Sequence, residues 1–249
     1  VEESFMNNRS VQWYEAYIGK VVPRYAFFSV ISCFVFNSLI YTGTQILMKN
    51  AKHYDLSTPF DHNLPFIPEW VLIYVICFAF WAVNYITITR QGYEEWFKFA
   101  TADYLSRIIC MVFFILLPTT NTRPVITGNS FAENLMKFIY MADPATNLFP
   151  SIHCLVSWFC YIGIRGRKNI PLWYRAFSCI FAIMVFISTQ FTKQHYIADV
   201  IAGVLIAETC MYIGKHTKLY KKTSKIFGKI NAKVFGDIIY DREEEQEYF

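Results

Sequence analysis

The sequence predicts an all-α, polytopic membrane protein built as a six-helix transmembrane bundle, and three observations carry that prediction. Of 249 residues, 55% are hydrophobic and 17% charged, against about 25% charged in an average soluble domain. The mean hydropathy is +0.28. The apolar residues are blocked into runs close to the roughly 20 helical residues that cross a bilayer. A soluble core of ordinary composition is therefore excluded.

The elements follow in order along the chain. Residues 1–24 mix Trp13, Tyr14 and Tyr17 with Arg9, Lys20 and Arg24, which suits an interfacial segment lying against headgroups; no removable-signal pattern is read there. Tyr25–Leu47 is the first expected span. Lys49–Glu69 holds Pro59, Pro65 and Pro68 and cannot be one helix; its Asp61–Pro68 part reads as a turn packed on the first two helices, or alternatively as a return toward the face where the polar motifs lie. Trp70–Thr89 and Trp96–Leu117 are the second and third spans. Asp103 and Arg107 sit four apart within the third, as a structural ion pair near the inner leaflet or a substrate contact. Pro118–Asn147 contains an amphipathic piece around Phe131–Tyr140. Leu148–Ile164, Leu172–Ser188 and Ile197–Ile213 complete the six spans of a membrane domain over 25–213. The remainder, 214–249, is basic first and acidic at Asp241–Glu247, and reads as a cytosolic tail on the membrane surface. The seven cysteines lie nearly all in apolar runs with no CxxC spacing, which points to packing.

Charge sets the orientation. The N-terminal segment, the second-to-third and fourth-to-fifth connections with Lys98 and Arg175 in the span ends beside them, and the tail hold 17 Lys and Arg, against five on the other side, Lys49, Lys52, Arg123, Lys137 and Lys193. The positive-inside rule then places both termini in the cytosol. Arg123, His153, His195 and Asp199 fall together at the extracytoplasmic face, and of the four only Arg123 enters the count.

Those residues carry the chemistry. In Ser188–Asp199, His195 and Asp199 stand four apart at the mouth of a span, on one helix face. An imidazole held by a carboxylate keeps one tautomer and frees the other nitrogen to attack phosphorus. Phe149–His153 supplies a second histidine at another span entrance. Two histidines and a carboxylate fit phosphoryl transfer, with His195 as nucleophile, Asp199 orienting it and His153 as general acid. Arg123 is expected to hold the phosphate oxygens bidentately, with Ser151, Lys193 and Ser188 as further phosphate-binding candidates. The bland alternative is an i,i+4 pair that caps a helix end. No cofactor and no metal is expected, since carboxylates at this face are too few for a two-metal site.

The motifs resemble a known family. Arg123-Pro124, Pro150-Ser151-x-His153 and Ser188-x6-His195-x3-Asp199 are similar to the three signatures of the type-2 phosphatidic acid phosphatase superfamily, over roughly residues 118–208. There are three departures: Leu116 stands where the family has lysine, Ile152 where it has glycine, and Thr189 where it has a phosphate-binding arginine. Phe-Pro-Ser-Ile-His with Gln-His-Tyr-x-x-Asp is closer to the branch with inositol phosphorylceramide and sphingomyelin synthases. The resemblance implies a lipid phosphatase working through phosphohistidine, or alternatively a phosphotransferase that moves a headgroup onto a lipid alcohol such as ceramide or diacylglycerol. Phospholipid substrate and bilayer lipids are the expected partners, and no nucleic acid is. From another class, a transporter or scaffold remains as the contrasting hypothesis, and metal or vanadate binding by the histidines as a third.

Overall fold

A computed structural model describes residues 9–235. The acidic end expected at Asp241–Glu247 and the first eight residues lie outside them. The described chain runs α1 (Arg9–Tyr17), α2 (Arg24–Leu47), β1 (Tyr54–Asp55), α3 (Pro59–Asn63), α4 (Val71–Thr89), α5 (Tyr93–Leu116), β2 (Thr119–Thr120), α6 (Phe131–Ala142), α7 (Ile152–Ile164), α8 (Leu172–Phe191), α9 (Ile197–His216) and α10 (Tyr220–Phe235). The two short strands form one parallel bridge, Tyr54 with Thr119 and Asp55 with Thr120.

Five helices are long and apolar enough to cross a membrane, over Arg24–Leu47, Pro68–Thr89, Tyr93–Leu116, Leu172–Phe191 and Ile197–His216. Their outward faces are apolar: Leu39, Ile76, Val83, Leu116, Ile180 and Leu205 are all exposed. Water would not tolerate such a girdle, whereas hydrocarbon requires it. These features mark an integral membrane protein. The fourth expected span, Leu148–Ile164, is the exception. The chain at Leu148–Ser151 is not helical: Pro150 disfavours the helical conformation at Phe149, and the Leu148 and Phe149 N–H groups donate to Thr119 Oγ1. Helix α7 therefore starts only at Ile152 and has 13 residues, about 20 Å of rise against a hydrocarbon core of about 30 Å.

Packing places α7 among α4, α8 and α9, while α5 lies between α2 and α9. Trp96, Phe97, Phe99, Phe114 and Phe159 are fully buried there. Two glycines allow α9 its close approaches: a Cβ on Gly214 would stand 2.5 Å from the Lys98 carbonyl oxygen, and one on Gly203 2.8 Å from that of Ser151. The Asp103–Arg107 pair lies near the middle of α5. Arg107 Nη2 reaches Asp103 Oδ1 at 2.8 Å, with both side chains buried, and Tyr85 donates to the same oxygen at 2.6 Å. The described part of the tail is largely helical. Helix α10 packs on α5 and α2, with Phe227 against Phe97 and Asn231 Nδ2 donating to the Tyr25 carbonyl. Tyr14 of α1 meets Phe235 of α10, so both ends of the described chain meet at one end of the bundle. All seven cysteines are free, and all but the half-buried Cys179 are buried.

Candidate active site

The opposite end of the bundle is where α4, α7 and α9 begin and α5 and α8 end. The connection between α8 and α9 is folded by its own backbone: the Gln194 and His195 N–H groups both donate to the Thr189 carbonyl, and Lys193 takes a positive φ of 52°. At the start of α9, Asp199 Oδ2 accepts the Tyr196 N–H at 2.9 Å, so the carboxylate caps its own helix.

The same oxygen faces His195 Nδ1 at 3.3 Å, and the Leu148 carbonyl faces that nitrogen at 3.1 Å. Carboxylate and carbonyl only accept, so Nδ1 carries the proton and Nε2 keeps its lone pair. His195 is 7% exposed and Asp199 1%. The capping role and the imidazole contact are thus not alternatives, since one carboxylate does both. Asp199 also binds α7, its carbonyl accepting the Ser151 N–H at 3.1 Å.

Helix α7 brings the second histidine. Ser151 Oγ accepts from the Cys154 N–H and starts the helix, so His153 lies in its first turn. Its ring centroid is 5.8 Å from that of His195. Tyr74 stacks on it at 4.4 Å, and Phe78 and Trp81 pack at 5.8 and 5.5 Å. Two imidazoles 42 positions apart in sequence are therefore neighbours in a half-enclosed aromatic cage.

Arg123 reaches the same corner by another route. Its Nη2 donates to Gln194 Oε1 at 2.6 Å, beside His195, and its Nη1 to the carbonyl oxygens of Asp143 at 2.6 Å and Tyr140 at 3.3 Å. The guanidinium lies over the Tyr140 ring at 4.6 Å. Burial pushes the Tyr140 phenol up to about 12, so it stays a donor, to the Thr192 carbonyl at 2.7 Å.

Lys193 and Ser188 are placed differently. Lys193 Nζ donates to the carbonyl oxygens of Asp61 and Leu64, at 2.8 and 2.7 Å, and burial lowers its ammonium below the ordinary value. Ser188 is fully buried and donates to the Trp70 carbonyl at 3.1 Å. Lys193 thus holds the stretch Asp61–Pro68, for which the sequence offers a turn on the first two helices as one reading, and Ser188 holds Trp70 just after it. That stretch instead returns to the site: the Ile197 N–H donates to Asp61 Oδ1 at 2.8 Å, and the Ile67 N–H to the Phe191 carbonyl at 3.0 Å. Tyr74, Asp143, Gln194 and the Leu148 carbonyl were not singled out from sequence, and only Gln194, flanking His195, lay inside a motif. Among the described residues, no three His, Cys, Asp or Glu come together as a set that could hold a metal ion.

The chain's sequence was compared with known proteins. A family model described as PAP2 superfamily matches residues 69–213, more than half of the chain and all three motifs. The chain belongs to the PAP2 superfamily. No curated protein and no solved structure gives a significant match. Membership in the PAP2 superfamily implies a membrane phosphatase-type activity, and its members are generally phosphatases or phosphotransferases.

Proposed function

We propose that this PAP2-superfamily chain cleaves a lipid phosphate ester through a phosphohistidine on His195. The observation that carries the reading is the pairing at His195, whose Nδ1 faces two acceptors while the His153 ring lies 5.8 Å away. His195 Nε2 attacks phosphorus in line, and the bond to the leaving oxygen breaks as protonated His153 delivers its proton there. In the second half, His153 takes a proton from water or an alcohol, whose oxygen attacks phosphorus and breaks the P–N bond. Arg123 and the N–H groups at the start of α7, next to Ser151, are the donors proposed for the equatorial oxygens. Lys193 and Ser188 hold the loops around them. The proposal keeps α7 as a sixth, short span and the site at the extracytoplasmic face.

Headgroup transfer to a lipid alcohol, as in the inositol phosphorylceramide and sphingomyelin synthase branch, is the second reading. Scarcity of cations favours it: Lys193 spends two of its three donors on carbonyls, Leu116 and Thr189 stand where the family has cations, and a diester donor carries less charge. Incubating the purified protein with labelled phospholipids, with and without ceramide or diacylglycerol, separates the two. Released phosphate or headgroup supports hydrolysis and a new phospholipid supports transfer. A protein that turns over no lipid phosphate in either assay overturns both.

A further inference from the structure

The His195 side of the site has its carboxylate, and the His153 side holds a second one at one remove. Tyr74 stacks on the His153 ring at 4.4 Å with an interplanar angle of 30°, and its hydroxyl stands 3.5 Å from His153 Nδ1. The same hydroxyl faces Asp143 Oδ2 at 3.4 Å. Asp143 is held in turn: Tyr41 donates to its Oδ1 at 2.7 Å, and its N–H donates to the Ile139 carbonyl at 2.9 Å. Its own carbonyl accepts Arg123 Nη1 at 2.6 Å. Tyr74 is 2% exposed in α4 and Tyr41 half-buried in α2, so two spanning helices converge on one carboxylate at the end of α6. A buried phenol beside a carboxylate gives up its proton toward that carboxylate, which leaves its oxygen lone pairs for the imidazole.

We propose that Asp143, acting through Tyr74, is a positioning pair for His153: it fixes the ring, keeps the proton on Nδ1 and favours the charged imidazole that protonates the leaving group. His153 Nε2 is then the nitrogen left for the substrate. Asp143 thereby ties the phosphate grip of Arg123 to the placement of the acid, since one residue holds the arginine by its carbonyl and the tyrosine by its carboxylate. This inference rests on the phosphohistidine reading above, and its test keeps the two apart.

The distinguishing readout is dependence on the leaving group. An alkyl phosphate ester needs its leaving oxygen protonated, whereas a nitrophenyl phosphate ester leaves as a stable anion. The wild type, Tyr74→Phe, Asp143→Asn and Asp143→Glu are compared by kcat/KM on both esters, with thermal midpoints in detergent as the folding control. Tyr74→Phe keeps the stacked ring and loses only the hydroxyl. The expected result is that Tyr74→Phe and Asp143→Asn lower kcat/KM on the alkyl ester at least tenfold more than on the aryl ester, with partial recovery in Asp143→Glu. Equal losses on both esters, or none, overturn the positioning role while leaving the phosphohistidine reading standing. A wild type inactive on both esters overturns that reading, and this inference with it.

Discussion

His195 is constrained from two sides at one nitrogen, by Asp199 Oδ2 and by the Leu148 carbonyl. Replacing Asp199 with Asn removes the negative charge that faces Nδ1 and steadies the imidazole as positive charge builds on it during attack. Asn keeps an oxygen for the Tyr196 N–H cap, so the fold should hold. The expected outcome for Asp199→Asn is a loss of kcat/KM on the order of 10²- to 10⁴-fold with the thermal midpoint within a few degrees of the parent. His195→Ala should abolish turnover and phosphoenzyme labelling together; labelled phosphate retained on that variant would move the nucleophile to another residue. His153, His195 and Asp199 were legible in sequence because each lies at a helix entrance beside a recurrent polar motif. Tyr74 and Asp143 were not, since a tyrosine inside an apolar span and an aspartate after an amphipathic helix have no local sign of their common contact.

The long helices were legible because each is a run of apolar residues with an abrupt end. The expected Tyr25–Leu47 and Trp70–Thr89 differ from α2 and α4 by one residue at the first end. Helix α8 continues past Ser188 to Phe191 and α9 past Ile213 to His216, since polar residues at helix mouths do not by themselves stop a helix. The opposite error at Leu148–Ser151 has a local cause in Pro150, which disfavours the helical conformation at Phe149, while Thr119, 29 residues earlier, satisfies the Leu148 and Phe149 N–H groups of the non-helical segment. Asp61 shows a dependence on distant partners, because it caps α9 from 136 positions away, through Ile197, while also accepting from Thr58, the residue that caps the start of α3. Asp61→Ala should cost about 1–2 kcal/mol of stability, the ordinary scale for a lost helix cap, and should lower turnover because it loosens the turn holding His195. Gly203→Ala should cost about 1–3 kcal/mol by overpacking, since its Cβ would push on the Ser151 carbonyl and thus on the first turn of α7. Thermal unfolding in detergent checks both; a Gly203→Ala protein as stable and active as the parent would mean that α7 and α9 are not held that tightly.

At the scale of the whole molecule, the site and the two ends of the described chain lie at opposite ends of one bundle. Tyr14 meets Phe235 at one end, and His153 meets His195 at the other. Basic residues collect at the first end: α10 exposes Lys221, Lys222, Lys225, Lys229 and Lys233, and Arg165 and Arg167 pair with Glu208 and Glu95 nearby. Positive charge resists translocation, so that end should stay in the cytosol while the histidines open to the other side. Cysteines introduced singly at exposed Ser130, in the segment beside the site, and at exposed Lys222 of α10 test this. In sealed vesicles of native orientation, a membrane-impermeant thiol reagent should label Ser130→Cys directly and Lys222→Cys only after permeabilisation, against the low background of mostly buried native cysteines. The reverse pattern would turn the enzyme over in the membrane and give its site cytosolic substrates. Labelling of both from one side would break the link between opposite bundle ends and opposite compartments, and with it the crossing of the bilayer by the helices between them.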